Sequence, residues 1–163
     1  MIYIIGDTHF NHAKVIDYEN RPFADVKAMN KTMIKNWNKT ISNKDTIYHL
    51  GDFAWGNKRQ IKKIVGKLNG YKVLIKGNHD RQYGNEWWHN VGFNDVIDGG
   101  VILDNFYLLS HEPMYINSHM PYVNIHGHIH GNKMEGEGYY NASVELHKYK
   151  PISFDYIKSL YTN

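Results

Sequence analysis

Short clusters of aspartate, asparagine and histidine punctuate this 163-residue chain: Asp7 with His9, Asp52, Asn78 with His79 and Asp80, His111, and His128 with His130. Every one of these side chains offers nitrogen or oxygen to a cation. Eleven histidines is a heavy load for this length, and neutral imidazole is the commonest metal ligand and a frequent general acid or base. The chain has no cysteine, so thiolate zinc sites, iron–sulfur clusters, disulfides and cysteine nucleophiles fall away together. A mixed set of imidazole, carboxylate and amide suits manganese, iron, zinc or nickel better than magnesium or calcium, which favour all-oxygen shells. It also exceeds what one ion takes. Two divalent cations roughly 3.5–4 Å apart, sharing a carboxylate and a bridging water, would use it.

The elements that must position these donors can be read from hydrophobic pattern. Met1 to Ile5 is a β-branched and aromatic run stopped by Gly6 and Asp7, which predicts a buried strand. From a cap at Asp25, the residues Val26, Met29, Met33, Trp37 and Ile41 recur at helical spacing with lysines between them. Thr46 to Leu50 predicts a second strand ending at Gly51-Asp52. Ile61, Ile64, Val65 and Leu68 predict a second helix, stopped by Asn69-Gly70 before a strand at Tyr71 to Ile75. Val101 to Leu103 and Phe106 to Leu109 flank Asp104-Asn105 as a hairpin, and Tyr122 to Ile125 leads into the last histidines. Tyr139 to Leu146 is expected as a strand, and Ser153 as the cap of a closing helix through Ile157, Leu160 and Tyr161. Alternating strands and helices imply parallel crossovers in an α/β fold. Each donor cluster stands just past a strand, and the carboxyl ends of such strands form the edge where ligands bind.

Composition sets the outer bounds. Hydrophobic residues at 42% and charged residues at 21% are ordinary for a globular chain, and 163 residues predict a single domain over 1–163. The apolar runs fall short of the roughly 20 residues of a membrane helix, and no secretory leader opens the chain, so a cytoplasmic protein without membrane partners is expected. A net charge of +3 permits an anionic substrate without the dense basic stripe of a dedicated nucleic-acid binder.

The ordered blocks Asp7-Thr8-His9, Gly51-Asp52, Gly77-Asn78-His79-Asp80, His111 and Gly127-His128-Ile129-His130 resemble the five-block signature of the calcineurin-like metallophosphoesterases. The nearest resemblance is to the small, cap-less phosphodiesterases of bacteria and phages. It implies a four-layer α/β/β/α sandwich of two mixed β-sheets with a dinuclear centre at one edge. It places Asp7, His9, Asp52 and His130 on one metal, and Asp52, Asn78, His111 and His128 on the other. Asp52 as the bridge agrees with its chemistry, since a carboxylate has two oxygens to share while imidazole has one lone pair. The resemblance makes His79 a general acid, with Asp80 placed to orient it, while a metal-bridging hydroxide attacks phosphorus. Two divalent ions are expected, manganese first, with iron, zinc or nickel as alternatives.

Outside the signature, Arg21 and His12 are candidates for a substrate phosphate, the first because a guanidinium matches phosphate oxygens. His49, inside a strand, is read as a packed core histidine. Trp87, Trp88 and Phe93 are read as core aromatics rather than a nucleobase platform, and the lysines of the first helix as its solvated face. With almost the whole chain spent on the core fold, an open site and a small nucleotide-type phosphodiester are expected, and long nucleic acid is not. The alternatives are a phosphomonoesterase of the same fold and a non-catalytic scaffold, against which the complete ligand series stands.

Overall fold

The computed structural model describes residues 1–161, so Thr162 and Asn163 of the expected domain lie outside the described residues. Two mixed sheets face each other. The first runs in the order β4 (Asp95–Ile97), β3 (Tyr71–Ile75), β2 (Thr46–His49), β1 (Ile2–Ile5), β9 (Ile152–Ser153), all parallel except β9, which is antiparallel to β1. The second runs β5 (Gly100–Leu103), β6 (Tyr107–Ser110), β7 (Val123–His126), β8 (Tyr139–Asn141), with only the β5–β6 pair antiparallel. That pair is the expected hairpin, and Asp104 and Asn105 both take the left-handed conformation its tight turn needs.

The alternation of side chains across a strand divides the core in two. Tyr3, Ile5, Ile47 and Leu74 point to one face of the first sheet, where they meet Met29, Met33 and Trp37 of α2 (Val26–Thr40) and Ile61, Ile64 and Val65 of α3 (Lys58–Val65). Ile4, Leu50 and Ile75 point to the other face and pack against Tyr107, Leu109, Val123 and Ile125 of the second sheet. Phe154 and Ile157 of α5 (Phe154–Ser159) close this second core beside β1 and β9. On the second sheet, Asn124 and Tyr139 accept from the backbone N–H groups of Met114 and Ile116, fastening the segment between β6 and β7.

Helix α2 starts where the sequence places it, with the Asp25 carboxylate accepting from the Ala28 N–H at 2.7 Å. Four short helices and strands are additional to the sequence expectation: α1 (Lys14–Tyr18), α4 (Asn85–Val91), β4 after it, and β9. Trp88 and Phe93, from α4 and its exit, are buried in the first core, as read from the sequence. The expected strand over 139–146 is corrected: it stops at Asn141, and Val144–His147 forms a 3₁₀ turn. The cause is local competition for the backbone, because the Asn141 side chain accepts from the Ser143 N–H at 2.9 Å and turns the chain out of the ladder.

Trp37 is fully buried and its indole donates to the Asn69 carbonyl at 3.0 Å. Trp37→Ala is therefore expected to cost about 3–5 kcal/mol, and Asp25→Ala, which loses only the cap, about 1 kcal/mol. Urea unfolding of the two variants checks both the sizes and the ranking.

Candidate metal centre

The donor clusters converge at the carboxyl edge of both sheets. Beyond β1 the chain is stitched to its neighbours: Gly6 N–H donates to the Ala142 carbonyl, Asp7 N–H to Gly51, and His9 N–H to Asp52, at 3.0–3.1 Å. Asp7, His9, Asp52, His128 and His130 all stand in the left-handed region, a cost that clusters at functional sites. Two glycines make room. A Cβ on Gly77 would collide with Asp52 Oδ1, and one on Gly127 with Asp7 Oδ2.

Asp7, His9 and His130 bring one ligand atom each to within 4.8 Å of one another, and so do Asp7, Asp52 and His111. Asp7 is common to both groups, and Asp52, of the second, also reaches the first, with Oδ2 3.6 Å from His9 Nε2 and Oδ1 3.5 Å from His111 Nε2. Asn78 Oδ1 and His128 Nδ1 complete the second group at 3.0 and 3.1 Å from His111 Nε2. His111 Nδ1 lies 2.7 Å from the Leu50 carbonyl, which can only accept, so Nε2 keeps its lone pair. That lone pair faces the Asn78 and Asp52 oxygens with no proton of its own to offer. His9 Nε2 is likewise buried without a hydrogen-bond partner. Converging acceptors and an orphaned imidazole nitrogen are what a cation would satisfy, so these residues fit divalent metal ions.

Electrostatics agree. Burial pushes the Asp7 carboxyl up to about 7 and that of Asp52 to about 6, because an ionised carboxylate here lacks water to solvate it. Burial also lowers His9 and takes His111 down to about 4, so both imidazoles stay neutral and available as ligands. His130 goes the other way: burial opposes its charge, but the Glu145 carboxylate, with Oε1 3.0 Å from Nδ1, and the charge of Asp7 raise it.

Two expected roles are corrected. Arg21 does not face a substrate. Its side chain is wholly buried; Nε and Nη2 donate to Glu145 Oε1 at 2.9 and 2.6 Å, Nη1 to the Thr8 carbonyl at 2.9 Å, and Nη2 to the Asp7 carbonyl at 2.7 Å. The left-handed turn at Asp7 leaves carbonyls needing donors, and the guanidinium supplies them. Asp80 does not orient His79 through a hydrogen bond. Its buried carboxylate accepts from the N–H groups of Asp52, Gly77 and Phe53 at 2.7, 2.9 and 3.2 Å, clamping the loops that carry Asp52 and Asn78. His79 stands at the rim with its side chain 40% exposed and Nε2 3.8 Å from Asp52 Oδ2. His12 also reaches this rim, stacked flat on Trp55 at 4.5 Å and 5.4 Å from the His9 ring. His49 is a core histidine as read: burial holds it neutral, down to about 3, and its Nε2 lies 2.9 Å from Thr8 Oγ1.

Glu145 and Ser143 were invisible to the motif reading. Ser143 Oγ donates to Asp7 Oδ2 at 2.8 Å, and Glu145 holds His130 and Arg21 together, the carboxylate–histidine arrangement that fixes a ligand's tautomer. The available signal was the alternation of Asn141, Ser143 and Glu145 within one extended-looking stretch.

Fold and site together define a metal-dependent phosphoester hydrolase. Over residues 1–156 the chain matches the calcineurin-like phosphoesterase family, and it belongs to that family. It is 39% identical over 170 residues to an uncharacterized protein of Methanocaldococcus jannaschii, covering 98% of this chain and 90% of that one. A 33% identity over 78 residues links it to the gene 66 protein of Mycobacterium phage L5, covering 46% of this chain and 37% of the phage protein. The crystal structure of a protein of unknown function from Aquifex aeolicus superposes with a TM-score of 0.78 at 31% identity, covering 98% of both chains.

Because Asp7 and Asp52 retain protons up to about pH 7 and pH 6 in the metal-free fold, a cation must displace those protons to bind. Raising the pH through that window removes the competitor, so the gain in Tm on adding Mn²⁺ should grow as pH rises and nearly vanish below it, as read by thermal scans with and without chelator. Arg21→Gln, which breaks the strut under Asp7 and Glu145, should weaken Mn²⁺ affinity by about 10–100-fold in calorimetric titration. A change in substrate KM with metal affinity intact would restore the substrate role.

Proposed function

We propose that this protein is a dinuclear metallophosphodiesterase that hydrolyses a nucleotide-type phosphodiester, with Mn²⁺ as the favoured ion in a cytoplasmic setting. The observation that carries the reading is Asp52, whose two oxygens face His9 of one donor group and His111 of the other. Divalent cations bound there would activate water and stabilise charge at phosphorus. The chain's own residues supply the rest. Asp7 and His9 are buried and His130 half-buried, while Asn78 and His128 are exposed, so substrate approaches from the Asn78–His79–His128 side. That side opens to solvent and leaves room for a second ester substituent, which favours a phosphodiester over a tightly enclosed monoester. His79, close to Asp52 without being hydrogen-bonded to it through the ring, holds the proton that its Nε2 passes to the leaving oxygen. Trp55, edge-on to the His79 ring at 4.9 Å, limits how that ring turns.

Hydrolysis of bis-p-nitrophenyl phosphate beside p-nitrophenyl phosphate, after chelation and return of Mn²⁺, tests this. Diester turnover should return with Mn²⁺; turnover of the monoester alone would make the protein a phosphomonoesterase. Asp52→Asn should lose metal and activity together. His79→Ala should keep its metal and lose about 10²–10⁴-fold in kcat, most severely with a poor leaving group.

A further inference from the structure

The charge of this chain is unevenly placed. Residues 26–70 carry ten Lys and Arg against only Asp45 and Asp52, while the whole chain nets +3, so the remainder is net acidic. Lys27, Lys31, Lys35 and Lys39 follow one another at four-residue intervals on α2, a spacing at which like charges repel and weaken the helix. All four are exposed, and none has an ion pair among the described residues.

The fold converts these lysines into a track. Helices α2 and α3 lie side by side on the first core, and the groove between them, about 640 Å³, is lined by Lys27, Lys31 and Lys35 on one wall and Lys63 and Lys67 on the other. Both ends are braced. At the far end Asn38 donates to the Lys67 carbonyl and accepts from the Asn69 N–H. At the near end Asn11 and Asn30 exchange two hydrogen bonds, at 3.0 and 2.7 Å, and Asn11 belongs to the loop that carries Asp7, His9 and His12. The groove therefore opens at the metal loop. Beside that opening Trp55, 41% exposed, lies flat on His12 between the metal ligands and the start of α3, an aromatic face available to a base.

We propose that the α2–α3 groove binds the phosphate backbone of a nucleic-acid strand and leads it to the metal centre. This rests on the phosphodiesterase reading and deepens it: the diester cleaved is a link of a polynucleotide strand, where a chain spent almost wholly on its core fold led the sequence reading to expect a small nucleotide. Five unneutralised lysines, spread over roughly 12 Å of helix, match a ligand that carries a charge on every repeat, and the adjoining site cleaves the bond between such charges. An acidic polypeptide would satisfy the lysines but has no use for the metal centre.

The test is the fluorescence anisotropy of a labelled oligodeoxythymidylate, titrated with full-length protein in chelator over a range of NaCl concentrations. Lys31→Gln/Lys63→Gln should weaken binding about tenfold and flatten the log–log salt slope by about 1.4, the loss of two phosphate contacts. Lys133→Gln/Lys150→Gln, with the same change in charge away from the groove, should change neither. Equal weakening by both pairs, an unchanged slope in the groove pair, absence of binding by the parent protein, or equal displacement by polyglutamate would overturn the proposal. Turnover of bis-p-nitrophenyl phosphate with Mn²⁺ should be unchanged in both pairs. Its absence in the parent protein would sink the phosphodiesterase reading while leaving the binding result to stand by itself.

Discussion

Everything at this edge follows from burying Asp7 and Asp52 together. Withdrawing carboxylates from water costs several kcal/mol per ion unless a partner compensates, and no lysine or arginine side chain hydrogen-bonds to either carboxylate among the described residues. Their partners are backbone N–H groups, Ser143 and nearby imidazoles, of which burial keeps His9 and His111 neutral. Such an arrangement is poor at holding negative charge by itself, as the upward shift of both carboxyls records. It is well suited to a divalent cation, which reverses the sign of the local problem. The same feature that makes the metal-free site costly makes it selective for metal.

Rigidity has to come from elsewhere, because a site built from loops loses precision unless its loops are tied. Asp80 and Arg21 do the tying from opposite sides. Asp80 gathers three N–H groups from the Asp52 and Gly77 loops, and Arg21 gathers two carbonyls from the Asp7 loop while gripping Glu145. Both are buried, and their geometry complements the backbone polarity of the turns they serve. A carboxylate accepts N–H groups, whereas a guanidinium donates to carbonyls.

That division explains what could be read from sequence and what could not. The candidate donors, from Asp7 to His130, could be picked out because metal chemistry restricts residue type and because each follows a hydrophobic run that announces a strand. The long amphipathic α2 and the central strands were legible through periodicity. The roles of Arg21 and Asp80 were misread because residue type alone does not show direction: a guanidinium fits phosphate oxygens and backbone carbonyls equally well. Glu145 escaped because its partners, Arg21 and His130, are brought to it only by the bridge between Gly6 and Ser143 that joins the two sheets at their shared edge. The short β4 and β9 escaped for the same reason, since strands of two or three residues exist through their neighbours rather than through their own pattern.

The lysines of α2 show the converse limit. Along the sequence they separate apolar positions and are fully accounted for as the wet side of an amphipathic helix. Only the placement of α3 beside them sets a second basic wall across a groove, and only the Asn11–Asn30 pair connects that groove to the metal loop. A net charge of +3 conceals the polarity because acidic side chains elsewhere cancel it. What an approaching anion meets is the local field of one face rather than the sum over the chain, and on this protein that face adjoins the buried carboxylates that would hold the metals.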